Sequence, residues 1–254
     1  MKRTTTVLAI LAMAAIALTA VSADAAVLEG QLGIMDLTEN GGINPATSIA
    51  WEYGDTYRFI FASSTGIAAT STDIAVYNAF VQAKADASAL GLSSVTWKVM
   101  ASTFTVAARD NTSTNGTVNG TGESFWLLNG TSLVADDYAD LFGTDSHSST
   151  INVSETGGAP FDSGDYSSNW TGSTGTGGIK ANDELGALDG GTITGLRNFT
   201  SGAHWIERFG NSPSTIERGV YGVSEVLTVV PEPATMALVA FGGLALLRRR
   251  RNRA

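Results

Sequence analysis

STDIAVYNAFVQAKADASALGLSSVTWKVMAS, residues 71–102, carries the clearest structural pattern in the chain. Ile74, Tyr77, Val81 and Ala85 fall three and four residues apart, which places them on one face of a helix. Ser71 or Thr72 stands where a side-chain oxygen caps a first turn, and Gly91 where a helix stops, so the spacing predicts a helix of about 17 residues. The stretch that follows, SVTWKVMASTFTV at 94–106, is rich in β-branched and aromatic residues and reads as a buried strand or strand pair.

Strands flank this segment on both sides. Upstream, EYGDTYRFIFASST at 52–65 sets Tyr57, Phe59 and Phe61 on one side of an extended chain. Downstream, ESFWLLNGTSLVA at 123–135 holds Asn129-Gly130 between apolar runs, a hairpin signal. From about 143 to 203 the chain thins into Gly, Ser, Thr, Asn and Asp, punctuated by Phe161, Tyr166, Trp170, Ile179 and Leu185; such composition predicts loops draped over a core built elsewhere. RGVYGVSEVLTVV at 218–230 reads as a last strand, similar in character to the first, so the two are expected to pair. The body is thus expected to be one α+β domain without internal repeats.

That order resembles the C-type lectin-like fold, in its endostatin-like branch. The resemblance runs from STDIAVYNAFVQAKADASALGLSSVTWKVMAS through FWLLNGTSLVADDYADLFG and NWTGSTGTGG to GVYGVSEVLTV, over roughly 55–225. It implies a single C-type lectin-like domain with paired terminal strands, one long helix and a loop-rich second half. The disulfides typical of animal members are absent, because the chain has no cysteine. The calcium-dependent sugar site of true C-type lectins needs a Glu-Pro-Asn or Gln-Pro-Asp tripeptide and a Trp-Asn-Asp, and none of these occurs.

The two ends of the sequence read as addresses. Lys2 and Arg3 precede an apolar run from Val7 to Val21, and Ala23-Asp24-Ala25 has the small-x-small pattern of a signal peptidase site. At the other end Pro231-Glu232-Pro233 is followed by an uncharged segment, Ala234 to Leu247, and then Arg248, Arg249, Arg250 and Arg251. At 1.5 Å per residue that segment spans about 21 Å as a helix, short of the roughly 30 Å bilayer core unless its flanks contribute. The arginines would stay cytoplasmic by the positive-inside rule. Two prolines make the junction extended and open to a protease.

This order of elements resembles the PEP-CTERM sorting tail of Gram-negative bacteria, also named for ice-binding proteins that carry it. The resemblance implies that the tail is held in the inner membrane, recognised by an exosortase and cut near Pro231-Glu232-Pro233 as the body passes to the cell surface or matrix. No regular Thr-x-Thr ladder of an ice-binding surface is present.

Composition narrows the chemistry of the body. Between residues 26 and 230 there are 8 Lys and Arg against 22 Asp and Glu, a formal charge of −14. Such a surface repels phosphate backbones, so no nucleic-acid partner is expected. The absence of cysteine removes thiolate metal sites and thiol nucleophiles. His147 and His204 are the two histidines, and neither has a partner at a spacing that identifies a general base. No serine-hydrolase, zinc-protease or phosphate-loop motif occurs, and a sugar hydrolase would need a carboxylate pair that the sequence does not reveal.

Two constellations remain. KANDELG offers Asn182, Asp183 and Glu184 as oxygen ligands for calcium, or equally as a solvated loop. Trp170 and Trp205 stand among polar residues and are candidates for carbohydrate stacking, whereas Trp97 and Trp126 lie in apolar runs and read as core. Asp136, Asp137 and Asp140 read as the acidic start of a helix.

The expected organisation is a signal peptide at 1–25, a leader or first strand at 26–51, an exported α+β domain at 52–230 and a sorting tail with a short membrane helix at 231–254. The expected function is that of a non-enzymatic surface or extracellular-matrix protein, with signal peptidase, exosortase and the inner membrane as partners in transit and exopolysaccharide as the partner outside. A carbohydrate- or calcium-binding lectin-like module is the alternative. No obligate cofactor is expected.

Overall fold

The computed structural model describes residues 28–143, 147–162, 164, 167–188 and 191–232. The signal segment with Ala23 and Ala25, Tyr166, Pro233, the apolar run at 234–247 and Arg248 to Arg251 lie outside the described residues. Two units divide the chain: Glu29–Val230 is one, and Met1–Leu28 with Pro231–Ala254 is the other. Among the described residues no helix is long and apolar enough to cross a membrane.

The body is mixed α and β, with mostly strands. In chain order they are β1 (Leu28–Gly30), β2 (Ile43–Asn44), β3 (Ile49–Ala50), β4 (Thr56–Ala62) and β5 (Ile67–Ala68). Helix α1 (Ile74–Asp86) and β6 (Trp97–Val99) come next, then the one-turn helices α2 (Ala108–Asn111) and α3 (Gly116–Asn119). The hairpin β7 (Ser124–Leu127) and β8 (Leu133–Ala135) is followed by α4 (Tyr138–Leu141). The remaining strands are β9 (Ser168–Trp170), β10 (Gly191–Leu196), β11 (Phe209–Pro213), β12 (Glu217–Arg218), β13 (Tyr221–Ser224) and β14 (Leu227–Pro231).

β4 is the axis of the main sheet. One of its edges takes β7 in parallel, and β8 closes the hairpin beyond. The other edge takes both β13 and β14, antiparallel, so the expected pairing of first and last strands is present. Val223 faces Ile60 and Leu227 faces Tyr57, so four steps along the closing strand match three along β4. One extra residue is accommodated there, which makes the predicted single last strand two strands joined by a bulge. The Ser224 hydroxyl fills the gap by accepting the Phe59 N–H at 2.9 Å.

The register explains why the side-by-side alternation expected of β4 is incomplete. Tyr57, Phe59 and Phe61 share one buried face of β4; Phe61 meets Val81 of α1 across Gly222, and Tyr57 packs edge-on against Trp51 and Phe59. Ile60 and Ala62 point the other way into a second cluster with Phe125, Leu127, Tyr138, Trp205 and Tyr221. Both faces are covered, so Arg58 and Ile60 are as buried as the aromatic row.

Helix α1 is shorter than its pattern predicted. Asp73, rather than Ser71 or Thr72, caps it by accepting the Ala75 N–H at 2.9 Å, and it ends at Asp86 well before Gly91. Of the strand or strand pair expected at 94–106, the regular part is the three residues of β6, and Thr103 adds an isolated bridge.

The loop-rich second half contains more order than its composition suggested. β9, β10 and β11 form a second antiparallel sheet with β10 at its centre. Two of its strands, β9 and β10, are polar yet buried: the Thr192 hydroxyl donates to the Glu184 carbonyl at 3.2 Å and the Thr194 hydroxyl to the Phe209 carbonyl at 3.4 Å. Hydroxyls that find backbone acceptors allow a Thr-rich strand to act as core.

Candidate functional site

Three segments converge on a cleft of about 770 Å³ beside the N-terminus of α1. The first is Thr72-Asp73, at the helix cap. Phe104-Thr105 forms the second, at the tip of a turn closed by the Thr103 N–H donating to the Val106 carbonyl at 3.0 Å. Asn182, Glu184 and Gly186 to Leu188 supply the third.

The segments are held together through backbone. The Leu185 N–H donates to the Ser102 carbonyl at 2.9 Å, and the Gly186 N–H to the Ala69 carbonyl at 2.8 Å. Thr103 and Leu185 also pair as an isolated parallel bridge. Gly186 has φ +77°, and a Cβ there would sit 2.6 Å from the Ser71 carbonyl oxygen. Only glycine permits both the left-handed turn and this approach.

The chemistry of the cleft is uneven. Phe104 is 72% exposed and Leu188 fully exposed, so both offer apolar surface to solvent at the rim. Glu184 is 6% exposed, and its Oε2 has no hydrogen-bond partner among the described residues. The other buried carboxylates differ in this respect. Glu155 accepts from the Ser64 N–H at 2.9 Å and from the Ser64 hydroxyl. Glu123, part-buried, pairs with Arg58 at 2.9 Å. Asp73 also lines the cleft, but its Oδ1 is engaged by the helix. Among the described residues no Lys or Arg lines the cleft.

Of the three residues that the sequence offered for calcium, Asn182 and Glu184 line this cleft, while the Asp183 carboxylate lies against Gly210. Among the described residues no group of three or more His, Asp or Glu is placed to hold a metal ion.

The tryptophans offered for carbohydrate stacking are buried, which removes them as a solvent-facing surface. Trp170 is 0% exposed; its indole N–H is shared by the carbonyls of Ile67 and Ile216, and the Arg218 guanidinium covers its ring at 5.2 Å. Trp205 is 1% exposed, with its N–H on the Leu141 carbonyl at 3.1 Å and its ring against Tyr221 and His147. Polar neighbours in sequence are a poor guide here, because the acceptors that let each indole go inside are backbone carbonyls far along the chain, of Ile67, Ile216 and Leu141. The exposed aromatic in the described cleft is Phe104, which the sequence reading had assigned to a buried strand.

Neither histidine forms a catalytic pair among the described residues. His147 Nε2 lies 3.0 Å from the Leu141 carbonyl, and burial pushes its pKa below the ordinary value. His204 packs edge-on against Phe199. The acidic run at 136–140 starts a helix as expected, with the Asp137 carboxylate accepting the Asp140 N–H at 2.8 Å. Burial, followed by Asp140 and Asp137, raises the pKa of Asp136.

A second cleft, of about 390 Å³, is lined by Arg58, Lys98 and the bulge residues Ser224 to Val226. Arg58 already uses four of its five guanidinium N–H donors within the body. Its Nε binds Glu123 at 2.9 Å, Nη1 the carbonyls of Thr112 at 3.2 Å and Ser224 at 2.9 Å, and Nη2 the Tyr138 hydroxyl at 3.0 Å. The guanidinium therefore ties β4, the hairpin, α4 and the bulge together rather than presenting donors to a ligand.

The C-terminal tail adds a different kind of site. β14 ends at Pro231, and its Leu227 and Val229 are fully buried in the body. Residues 229–251 match the PEP-CTERM protein-sorting motif. No curated protein matches the chain. The motif marks an extracellular, surface-sorted protein that is processed by an exosortase.

Proposed function

We propose that this chain is a non-enzymatic surface or extracellular-matrix protein, held in the inner membrane by its tail during transit, released near Pro231-Glu232-Pro233 and retained outside through exopolysaccharide. The sorting motif at 229–251 is the observation that carries this reading. The motif overlaps β14, whose Val229 is fully buried. A cut upstream of Val230 would strip the sheet of a ladder strand, whereas a cut at or beyond Pro231 leaves the body whole.

The cleft at Glu184 supports a binding role for the body. It joins exposed apolar side chains to a few convergent polar groups, the general make-up of a small-molecule or sugar site. A lectin-like body is also supported by the pairing of β4 with β13 and β14 and by α1 packed across that sheet. The test is fractionation of the producing cells. The protein is expected with the matrix in cells whose exosortase is intact, and in the membrane fraction when the exosortase is deleted or when Arg248 to Arg251 are replaced by Ser. Equal recovery in the matrix from all three strains would overturn the reading.

A further inference from the structure

The cleft at Glu184 combines four features that together specify a ligand chemistry. Glu184, a residue 94% withdrawn from solvent, has a buried carboxylate oxygen, Oε2, without a donor among the described residues. A buried polar group of this kind ordinarily finds a partner, and one that lines a cleft finds it in whatever occupies the cleft. Among the described residues, two carboxylates and one side-chain amide line the cleft, and no basic residue does. At the rim Phe104 and Leu188 offer apolar surface to solvent, and a body carrying −14 draws cations toward it.

We infer that this cleft binds a protonated amine carried on a ring with an apolar face, the chemistry of a polysaccharide that contains free amino sugars. The ammonium donates to Glu184 at the floor. Ring hydroxyls meet Asn182, Thr72 and Thr105 on the walls. The apolar face of the sugar lies on Phe104, which adds cation–π attraction to the stacked ring. Neutral sugars satisfy the walls and the rim but bring only weak donors to the carboxylate, so they bind less well. This inference rests on the reading that the body holds matrix polysaccharide.

The probe is a β-1,4-linked glucosamine tetramer, titrated calorimetrically into the chain purified from cells in non-ionic detergent, at pH 5.5 where the amines are protonated. Its fully N-acetylated counterpart is the uncharged control on the same protein. The tetramer is expected to bind at least tenfold more tightly than the acetylated form. Glu184→Gln is expected to weaken it tenfold or more, and Phe104→Ala, at an exposed position that the fold does not need, severalfold. Equal affinity for the two oligomers, or undiminished binding by Glu184→Gln, overturns the amine site. A response to calcium alone that Glu184→Gln abolishes, with no response to either oligomer, overturns it in favour of a metal. Retention on the producing cells' own exopolysaccharide is measured in parallel. Retention without an amine response overturns the amine site and keeps the polysaccharide reading; absence of both overturns the two together.

Discussion

Replacing Arg58 with Met tests how far the main sheet is organised around this buried cation. The side chain makes four hydrogen bonds, to Glu123, Thr112, Ser224 and Tyr138, and is 95% withdrawn from solvent. Methionine fills most of the volume but leaves the Glu123 carboxylate with the Tyr138 hydroxyl in place of an ion pair and takes the guanidinium from two backbone carbonyls. Breaking one side of a buried pair costs about 3–5 kcal/mol, most of it the penalty of the unpaired group left behind. For a folded unit of this size each kcal/mol moves the melting temperature by about 2–4 °C, so a fall of about 6–20 °C is expected. Urea unfolding followed by the emission of the buried tryptophans gives the same quantity independently. Arg58→Lys keeps the charge but not the fork of donors, and should fall between the two. Arg58→Met with Glu123→Leu removes both charges and should recover part of the loss, since an apolar pair of similar volume replaces an ion pair at little cost. A loss below about 1 kcal/mol in Arg58→Met would refute the reasoning.

Gly186→Ala forces a Cβ into the Ser71 carbonyl at φ +77°; a loss of at least about 2 kcal/mol in urea is expected, with ligand binding in the cleft lost as well. Glu184→Gln removes a buried charge that lacks a donor, so it should leave stability unchanged or raise it by about 1 kcal/mol, and a loss of more than that would show that Glu184 serves the fold. Burial raises Tyr77 and Tyr138 to about 12 and lifts Tyr57 and Tyr221 further. Since the folded values exceed the unfolded one near 10, this stability is complete below pH 10 and is lost as the pH climbs from 10 toward 12; unfolding at pH 9 and 11 reads it. His147 runs the other way: its depressed folded pKa makes stability complete above the unfolded value near 6.5 and weaker as the pH falls below it, a slope that His147→Gln should flatten between pH 7 and 5.

What the sequence made legible was local. The Asn129 carboxamide accepts the N–H groups of Thr131 and Ser132, so the hairpin follows from residues beside one another. Tyr77, Val81 and Ala85 define α1 by period alone, and all three are buried. The cap moved to Asp73 because Ser71 turned its hydroxyl to the Asp73 N–H instead, a choice that periodicity does not record. The second sheet stayed hidden because Thr192, Thr194, Ser168 and Asn169 look like loop residues until the acceptors of their neighbours are known. The same effect buried Trp170 and Trp205. Of the cleft, Asn182 and Glu184 were legible as polar ligands. Phe104 and Leu188 join it only after the chain brings 103–105 beside 185, a contact between residues some eighty positions apart.

The central claim is export through the sorting tail, and the intact mass of the mature protein tests it most directly. Protein isolated from the surface or matrix of cells with an active exosortase should lack Arg248 to Arg251 and end at or just beyond Pro231, where β14 ends. A mature chain that keeps the arginines, or one cut within Leu227–Val230, would contradict the account.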